Sequence, residues 1–408
     1  MHEDEQFMRQ ALALAAERAG FTSPNPMVGA VLVKNGRLLS QAAHHHAGAD
    51  HAEVAALKAA NESARGATMY VTLEPCNHHG RTPPCTEAII AAGVAKVHYA
   101  IADPNPAAGG GHERLEAAGI IVKRGLCEVE ARALNRFFFH YVETKRPFII
   151  VKFASSLDGK IATRTGDSKW ISCAESRQRG HALRQIVDGI LIGAETAVSD
   201  NPRLTTRLEG VATEGLATEG LATPSPYATP HGTGMVSPCP NPPSPIHHPI
   251  RIVLDSRGRV PLTAQLFQPT MPAQTIVATT AMMPIAHRRQ LERQGVLVWE
   301  MEGDENGRVS IPALLDKLGQ HGLMSILVEG GGQIHASFFA QRLVQEVWAF
   351  IAPLIIGGAD APDPVSGRGP ADLADAFHLQ NLSVEQVGTD LLLRGIPMNS
   401  RPLSAKQE

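Results

Sequence analysis

Short apolar runs alternate with helix-patterned segments along almost the whole chain, and this alternation limits the fold more than any other feature. MVGAVLVKNG reads as a strand ending in an Asn-Gly turn, HAEVAALKAAN as a helix, ATMYVTLE as a strand and CTEAIIAAG as a helix closed by Gly93. KVHYAIAD, HERLEAAG and IIVKRG continue as strand, helix and strand. Strands interleaved in this way predict an α/β layered domain on a largely parallel sheet. After VETKRP, the strand FIIVKFASS opens a second α/β unit, with further strands at GILIGA, IRIVLD, TIVATT, VLVWE, SILVEGG and EVWAFIAP. At 408 residues the chain exceeds one ordinary core. The boundary is placed near Pro147, giving domains at 1–146 and 147–400.

One stretch fits neither unit. Residues 210–224 read GVATE, GLATE, GLATP in tandem, and Pro, Ser and Thr dominate from there to Pro249. Such a composition has little to bury against the entropy of ordering, so 209–249 is predicted to be a mobile low-complexity insertion.

The charges, 37 basic against 40 acidic, leave a net of -3, so no broad footprint for nucleic acid or an anionic membrane is expected. Phosphate recognition must then be local. The N-terminal stretch MHEDEQFMRQALALAAERAG is acidic and amphipathic, unlike a signal peptide, and no apolar run reaches membrane-spanning length. Five cysteines, three of them scattered singly, make a poor disulfide framework and predict a reducing cytoplasm.

The remaining two cysteines stand in LEPCNHHGRTPPC, downstream of a helix that begins His51-Ala52-Glu53. A disulfide, a structural metal clip and a catalytic metal centre all use such residues. One histidine and two thiolates form a recognised hydrolytic zinc set that leaves a position for water, and His51, Cys76 and Cys85 supply it. H-x-E followed by P-C-x-x-C marks zinc deaminases, in which the glutamate carries protons and does not ligate. Here eight residues, not two, separate the cysteines. Cys85 would open a helix, where the dipole favours thiolate, and Glu53 would take a proton from metal-acidified water and return it to departing ammonia. A closed clip with His78 or His79 as fourth ligand is the alternative.

In the second half, SILVEGGGQIHASFF is a buried strand running into three glycines and a helix, which lets backbone amides approach a pyrophosphate, although it is not G-x-G-x-x-G. A tight strand-to-helix turn alone also needs glycine. SDNPRLTTR places Asp200, Arg203 and Arg207 around a proline turn, with Arg184 on a preceding helix; a solvated charged surface would look the same. Trp170 in SKWIS is either a ligand contact or ordinary core packing.

Taken together, TSPNPMVGAVLV, HAE, LEPCNHHGRTPPC, DPNP, VKFASSLDGKIA, GDSKWIS, IGAETAVSDNPRLTTR, RIVLDS and VEGGG resemble the bifunctional deaminase-reductase family of riboflavin biosynthesis over nearly the whole chain. The resemblance implies a cytidine-deaminase-like domain followed by a dihydrofolate-reductase-like domain. The first would hydrolyse the 2-amino group of a diaminopyrimidinone ribosylamine phosphate; the second would reduce the ribosyl group to ribityl with NADPH. It implies His51, Cys76 and Cys85 as Zn2+ ligands and Glu53 as proton donor and acceptor. Asn25, His44, Arg81, Asp103 and Asn105 are further candidates around the pyrimidine, although Asn-Pro and Asp-Pro pairs also serve as plain turns. Ala42 and Asp50 depart from the family's usual glycine and proline, which bears on the loop carrying His44.

For the reductase half the resemblance implies Ser168, Arg184, Leu204 and Arg207 at the ribose phosphate, and Glu329 facing substrate. Ala154, Trp170, Thr196, Asp200, Ser256, Gly331 and Gly332 are implied as NADPH contacts, with Lys152 and Asp158 near the site of hydride transfer. The partners expected are a small phosphorylated pyrimidine and a second copy of the chain, through the reductase half and using EVWAFIAPLIIGG.

Overall fold

The computed structural model describes residues 3–80, 83–208 and 246–398. Two compact units divide them, one reaching Val142 and the other starting at Glu143, with residues 246 and 247 grouped with the first. The division lies within a helix, a few residues ahead of Pro147. Nearly all of the predicted insertion, 209–245, lies outside the described residues.

The first unit opens with helix α1 (Glu3–Ala16), which buries Met8, Ala11, Leu12 and Ala15 on one face. Strands β1 (Gly29–Lys34) and β2 (Arg37–Ala43) form a hairpin across Asn35-Gly36, both at positive φ as such a turn demands. Then follow α2 (Ala52–Ala60), β3 (Thr68–Val71), α3 (Cys85–Ala91), β4 (Lys96–Tyr99), α4 (Gly111–Ala117), β5 (Ile121–Arg124), α5 (Glu128–Leu134) and α6 (Arg136–Thr144). The sheet order is β2-β1-β3-β4-β5. Only β3, β4 and β5 run parallel; β1 is antiparallel to both its neighbours. The expected largely parallel sheet is therefore a mixed one. The Asn-Gly turn was legible, but the returning strand RLLSQAA, half-exposed and poor in β-branched residues, carries no strand signal.

In the second unit, β6 (Phe148–Ser156), α7 (Ala174–Ile186), β7 (Gly189–Gly193), α8 (Ala194–Asp200), β8 (Ile250–Leu254), β9 (Thr275–Thr279), α9 (Ile285–Arg293) and β10 (Leu297–Glu300) come first. They are followed by α10 (Ile311–Gln320), β11 (Ser325–Val328), α11 (Gly332–Ala340), β12 (Glu346–Ala352), β13 (Leu379–Val387) and β14 (Asp390–Pro397). The nine strands are ordered β10-β9-β8-β7-β11-β6-β12-β14-β13. Pairing is parallel from β10 to β12 and antiparallel for β14 and β13. Strands such as GILIG and SILV are buried throughout, as parallel strands covered on both faces must be. The final hairpin escaped the sequence reading because β13 lies almost wholly exposed, and its residues LQNLSVEQV follow no core-facing alternation.

Strand β12 lies inside the sheet between β6 and β14. Its backbone is paired on both sides, so EVWAFIAPLIIGG offers no free strand edge over Glu346–Ala352.

Candidate active sites

In the first unit, chain reversals bring three distant stretches together. His51 is the residue before α2, Cys76 lies in the loop after β3 and Cys85 begins α3. His51 Nδ1 is 3.2 Å from Cys85 Sγ and 3.5 Å from Cys76 Sγ, and the three donor atoms lie within 4.8 Å of one another. One nitrogen and two sulfurs at this spacing suit zinc. Cys76 and Cys85 are both free thiols, which removes the disulfide. Among the described residues neither His78 nor His79 joins the cluster; His79 instead pairs at 3.4 Å with Glu87 on the surface. A closed four-ligand clip is not what this geometry offers.

Hydrogen bonds from the Cys85 thiol, then from His51 and the Cys85 amide at 3.4 Å, pull Cys76 well below the ordinary thiol range, whereas Cys85 is driven upward by sharing its proton with Cys76 and by burial. Glu53 follows His51 by two residues, in the first turn of α2, and is 4 % exposed. Burial, reinforced by the nearby Cys76 thiolate, raises its carboxyl to about 7. Two partners that sequence reading missed fix the loop. Thr86 Oγ1 donates to Asn77 Oδ1 at 3.0 Å, and the buried Glu74 accepts from the amides of His112 at 3.1 Å and Asp103 at 3.4 Å. Neither has a spacing signature; each merely follows or precedes a motif residue.

Asn25 and His44 are brought beside the cluster. Asn25 Nδ2 donates to His44 Nε2 at 3.0 Å, so His44 carries its proton on Nδ1 and donates it to the Asp50 carbonyl at 3.0 Å. The His44 ring packs edge-on to His51 with centroids 5.5 Å apart. Asp50 thus serves through its backbone while its carboxylate meets Lys58 at 2.5 Å, and Ala42 pairs with Ala30 inside the hairpin. Asp103 Oδ1 accepts the Asn105 amide at 2.8 Å and Asn105 Oδ1 accepts the Ala107 amide at 3.2 Å. The turn reading of DPNP therefore accounts for one oxygen of each. Burial, with help from Glu74 and Cys76, raises Asp103 to about 6. Arg81 lies outside the described residues.

The second unit assembles a charged cluster from four places. Arg184 on α7 grips Glu329, just past β11, through Nε at 3.1 Å and Nη2 at 2.6 Å, and its Nη1 donates to the Thr205 carbonyl at 3.1 Å. Arg207 donates to Thr205 Oγ1 at 3.4 Å and to His181 Nε2 at 3.2 Å. Burial works to raise Glu329, but Arg184 and Lys152 outweigh it and hold the carboxylate near 2. Burial lowers Lys152, Arg207 and His181, the last to about 4 with Arg184 and Arg207 adding to the effect. His181 was missed, although HALR sets it three residues from Arg184 on one helix face. Arg184 and Glu329 are not a solvated surface, whereas Asp200, Arg203 and Arg207 keep exposed side chains. Leu204 is buried at positive φ between them in sequence, and Ser168 is half-buried with its carbonyl accepting the Ile171 amide at 3.1 Å.

The expected cofactor residues are partly gathered. A methyl group on Gly331 would lie 3.2 Å from Thr196 Oγ1, so those two adjoin. Gly330 and Gly332 are demanded by the protein itself: a Cβ would lie 2.6 Å from Ile192 Cα in one case and 2.2 Å from Ser366 Oγ in the other. Trp170 is 68 % exposed beneath the Arg177 guanidinium at 4.6 Å, which overturns core packing. Ser256 Oγ accepts the Val309 amide at 3.0 Å, Ala154 pairs with Phe350 across β6 and β12, and Asp200 is exposed, accepting from Ser199 at 3.0 Å. Asp158, expected near hydride transfer, accepts the backbone amides of residues 356 and 357.

Comparison with known proteins matches residues 1–101 to the cytidine and deoxycytidylate deaminase zinc-binding region and residues 147–393 to the RibD C-terminal domain. The chain is 38 % identical over 399 residues to the riboflavin biosynthesis protein RibD of Bacillus amyloliquefaciens, covering 98 % of this chain and 97 % of that one. It is 40 % identical over 391 residues to the RibD of Aquifex aeolicus, covering 96 % and 97 %. The solved RibD of Acinetobacter baumannii superposes with a TM-score of 0.80 at 34 % identity over 97 % of this chain and 99 % of that one. A Thermotoga maritima diaminohydroxyphosphoribosylaminopyrimidine deaminase/5-amino-6-(5-phosphoribosylamino)uracil reductase gives 0.78 at the same identity and coverage. The chain belongs to the RibD family of bifunctional deaminase-reductases of riboflavin biosynthesis, joining a zinc-binding, cytidine-deaminase-like domain to an NADPH-using reductase domain.

Proposed function

We propose that residues 1–146 deaminate the diaminopyrimidinone ribosylamine phosphate and that residues 147–400, interrupted by an insertion at 209–249, then reduce its ribosyl group to ribityl, giving 5-amino-6-(5-phospho-ribitylamino)uracil. The observation that carries the reading is the convergence of His51 Nδ1, Cys76 Sγ and Cys85 Sγ within 4.8 Å beside the buried Glu53. His51, Cys76 and Cys85 would hold Zn2+, which when bound supplies an acidified water. Glu53 takes that proton, keeps it in a dry pocket and delivers it to the leaving amine; a carboxyl raised by burial suits both halves of the transfer. Asn25, His44, Asp103, Asn105 and Arg81 orient the pyrimidine and its phosphate.

In the second unit Ser168, Arg184, Leu204 and Arg207 receive the ribose phosphate, for which guanidinium forks are well shaped. Glu329 and Lys152 face the carbon to be reduced. Ala154, Trp170, Thr196, Asp200, Ser256, Gly331 and Gly332 take NADPH, which when bound supplies hydride. Exposed Leu382 and Val384 on the edge strand β13 support a homodimer through the reductase half. Free thiols suit a reducing cytoplasm, and among the described residues no helix is long and apolar enough to cross a membrane.

The test is mass spectrometry of the diaminopyrimidinone ribotide incubated with zinc-loaded protein, with and without NADPH. An amino group exchanged for oxygen without cofactor, then two hydrogens gained only with NADPH, is expected. Reduction preceding deamination, or deamination that persists after chelation, overturns the assignment.

A further inference from the structure

We infer that Asp158 and Lys160 are positioning residues of the reductase site, acting through the 354–366 loop on the glycine turn ahead of α11. The inference rests on the reading that Gly331 and Gly332 take NADPH. Strand β6 carries Lys152 and Ala154 and then turns sharply through Leu157–Lys160. Asp158 is exposed, yet both its oxygens are occupied by this turn and the loop. Oδ1 accepts the Ser156 hydroxyl at 2.6 Å and the Ile356 amide at 3.0 Å, and Oδ2 accepts the Gly357 amide at 2.6 Å. The hydroxyl and the two loop amides hold its carboxyl down to about 2. The Leu157 amide donates to the Leu354 carbonyl at 2.9 Å. Further along, Lys160 Nζ reaches the Ala361 carbonyl at 3.2 Å and Asp363 Oδ1 at 2.8 Å, and the Ile161 amide donates to the Pro362 carbonyl at 3.0 Å.

The other side of the same loop lies on the first turn of α11. The Ser366 amide donates to the Gly332 carbonyl at 3.0 Å, and His335 Nδ1 donates to the Pro364 carbonyl at 2.7 Å. A Cβ on Gly332 would stand 2.4 Å from the Asp363 carbonyl oxygen, so no slack separates loop from turn. Asp363 is thereby held by Lys160 on one side and seated against Gly332 on the other. The loop is a spacer that sets the glycine turn relative to the end of β6, and its pins are charge-assisted bonds to backbone. Lys160 contributes less than Asp158, because it meets one loop carbonyl and the exposed Asp363 carboxylate whereas Asp158 binds two loop amides and the Ser156 hydroxyl.

The experiment compares Asp158→Asn, Lys160→Met and Gly331→Ala, each as the full zinc-loaded chain, by fluorescence titration with NADPH and by reductase and deaminase kinetics. Asp158→Asn keeps the shape but turns an amide group toward backbone donors. Its NADPH Kd and KM are expected to rise roughly tenfold, the equivalent of one lost charged hydrogen bond. The reductase kcat is expected to change less than about twofold, since the interaction lost is one of placement. Lys160→Met shifts the same constants in the same direction by less, and it carries the test if Asp158→Asn does not fold. Deamination stays unchanged in both. Unchanged NADPH Kd in folded Asp158→Asn and Lys160→Met, with Gly331→Ala impaired, overturns the positioning role and leaves the cofactor site standing. Unchanged Kd in all three overturns both.

Discussion

The two sites are assembled by different means. The first gathers three side chains of rare, metal-binding type, and its glutamate is raised by burial. The second gathers common charged residues, Lys152, Arg184, Arg207 and Glu329, and its glutamate is held down by a bidentate arginine. Burial acts on both carboxylates in the same direction. What differs is the company: the Cys76 thiolate near Glu53 adds to the rise, whereas cations around Glu329 overcome it. One site is tuned to exchange a proton, the other to keep a fixed charge.

Replacing each glutamate by glutamine is the most direct attack on this contrast. Glu53→Gln is expected to lower deamination by about a thousandfold while zinc content and reduction of the deaminated substrate are retained, as befits a lost proton shuttle. Zinc assay beside the two separate activities checks it; loss of zinc would move Glu53 into a structural role.

Glu329→Gln is expected to act on stability as well as rate. It leaves Arg184 and Lys152 buried without their counter-charge, a loss of about 3–5 kcal/mol. A carboxylate whose folded value is depressed stabilises above the ordinary carboxylate range, and that contribution disappears as pH falls toward 2. Thermal unfolding of the reductase unit should thus separate the two proteins at neutral pH and bring them together on acidification. A constant gap across that range would contradict the electrostatic account.

Trp170→Ala is the mildest test. The ring is 68 % exposed, so unfolding temperature should barely move. If the indole contacts the cofactor, KM for NADPH should rise by roughly three- to tenfold, the range of one aromatic contact. A cooperative loss of stability would return it to a packing role.

Legibility followed the rarity of the residue types. Two cysteines, a histidine and a glutamate have few other reasons to stand at those spacings, so the metal centre was readable from HAE and LEPCNHHGRTPPC. Arg184 had an equally good reading as a surface charge, and only its packing against Glu329 removes it; Arg207 stays exposed while reaching His181. For Asp158, only the structure shows that its carboxylate is taken up by loop amides. Strand β13 of the final hairpin and the antiparallel β2 also escaped, since neither carries a regular buried alternation.

The sequence by itself determined the α/β alternation, the metal set and, through many motifs in order, the family. It could do so because hydrophobic period and ligand chemistry are local properties of the chain. The tertiary structure alone decided the mixed sheet, the partner of each buried charge and the backbone that demands Gly330 and Gly332. Those depend on which distant segments meet, and a pKa or a close approach exists only after they have met.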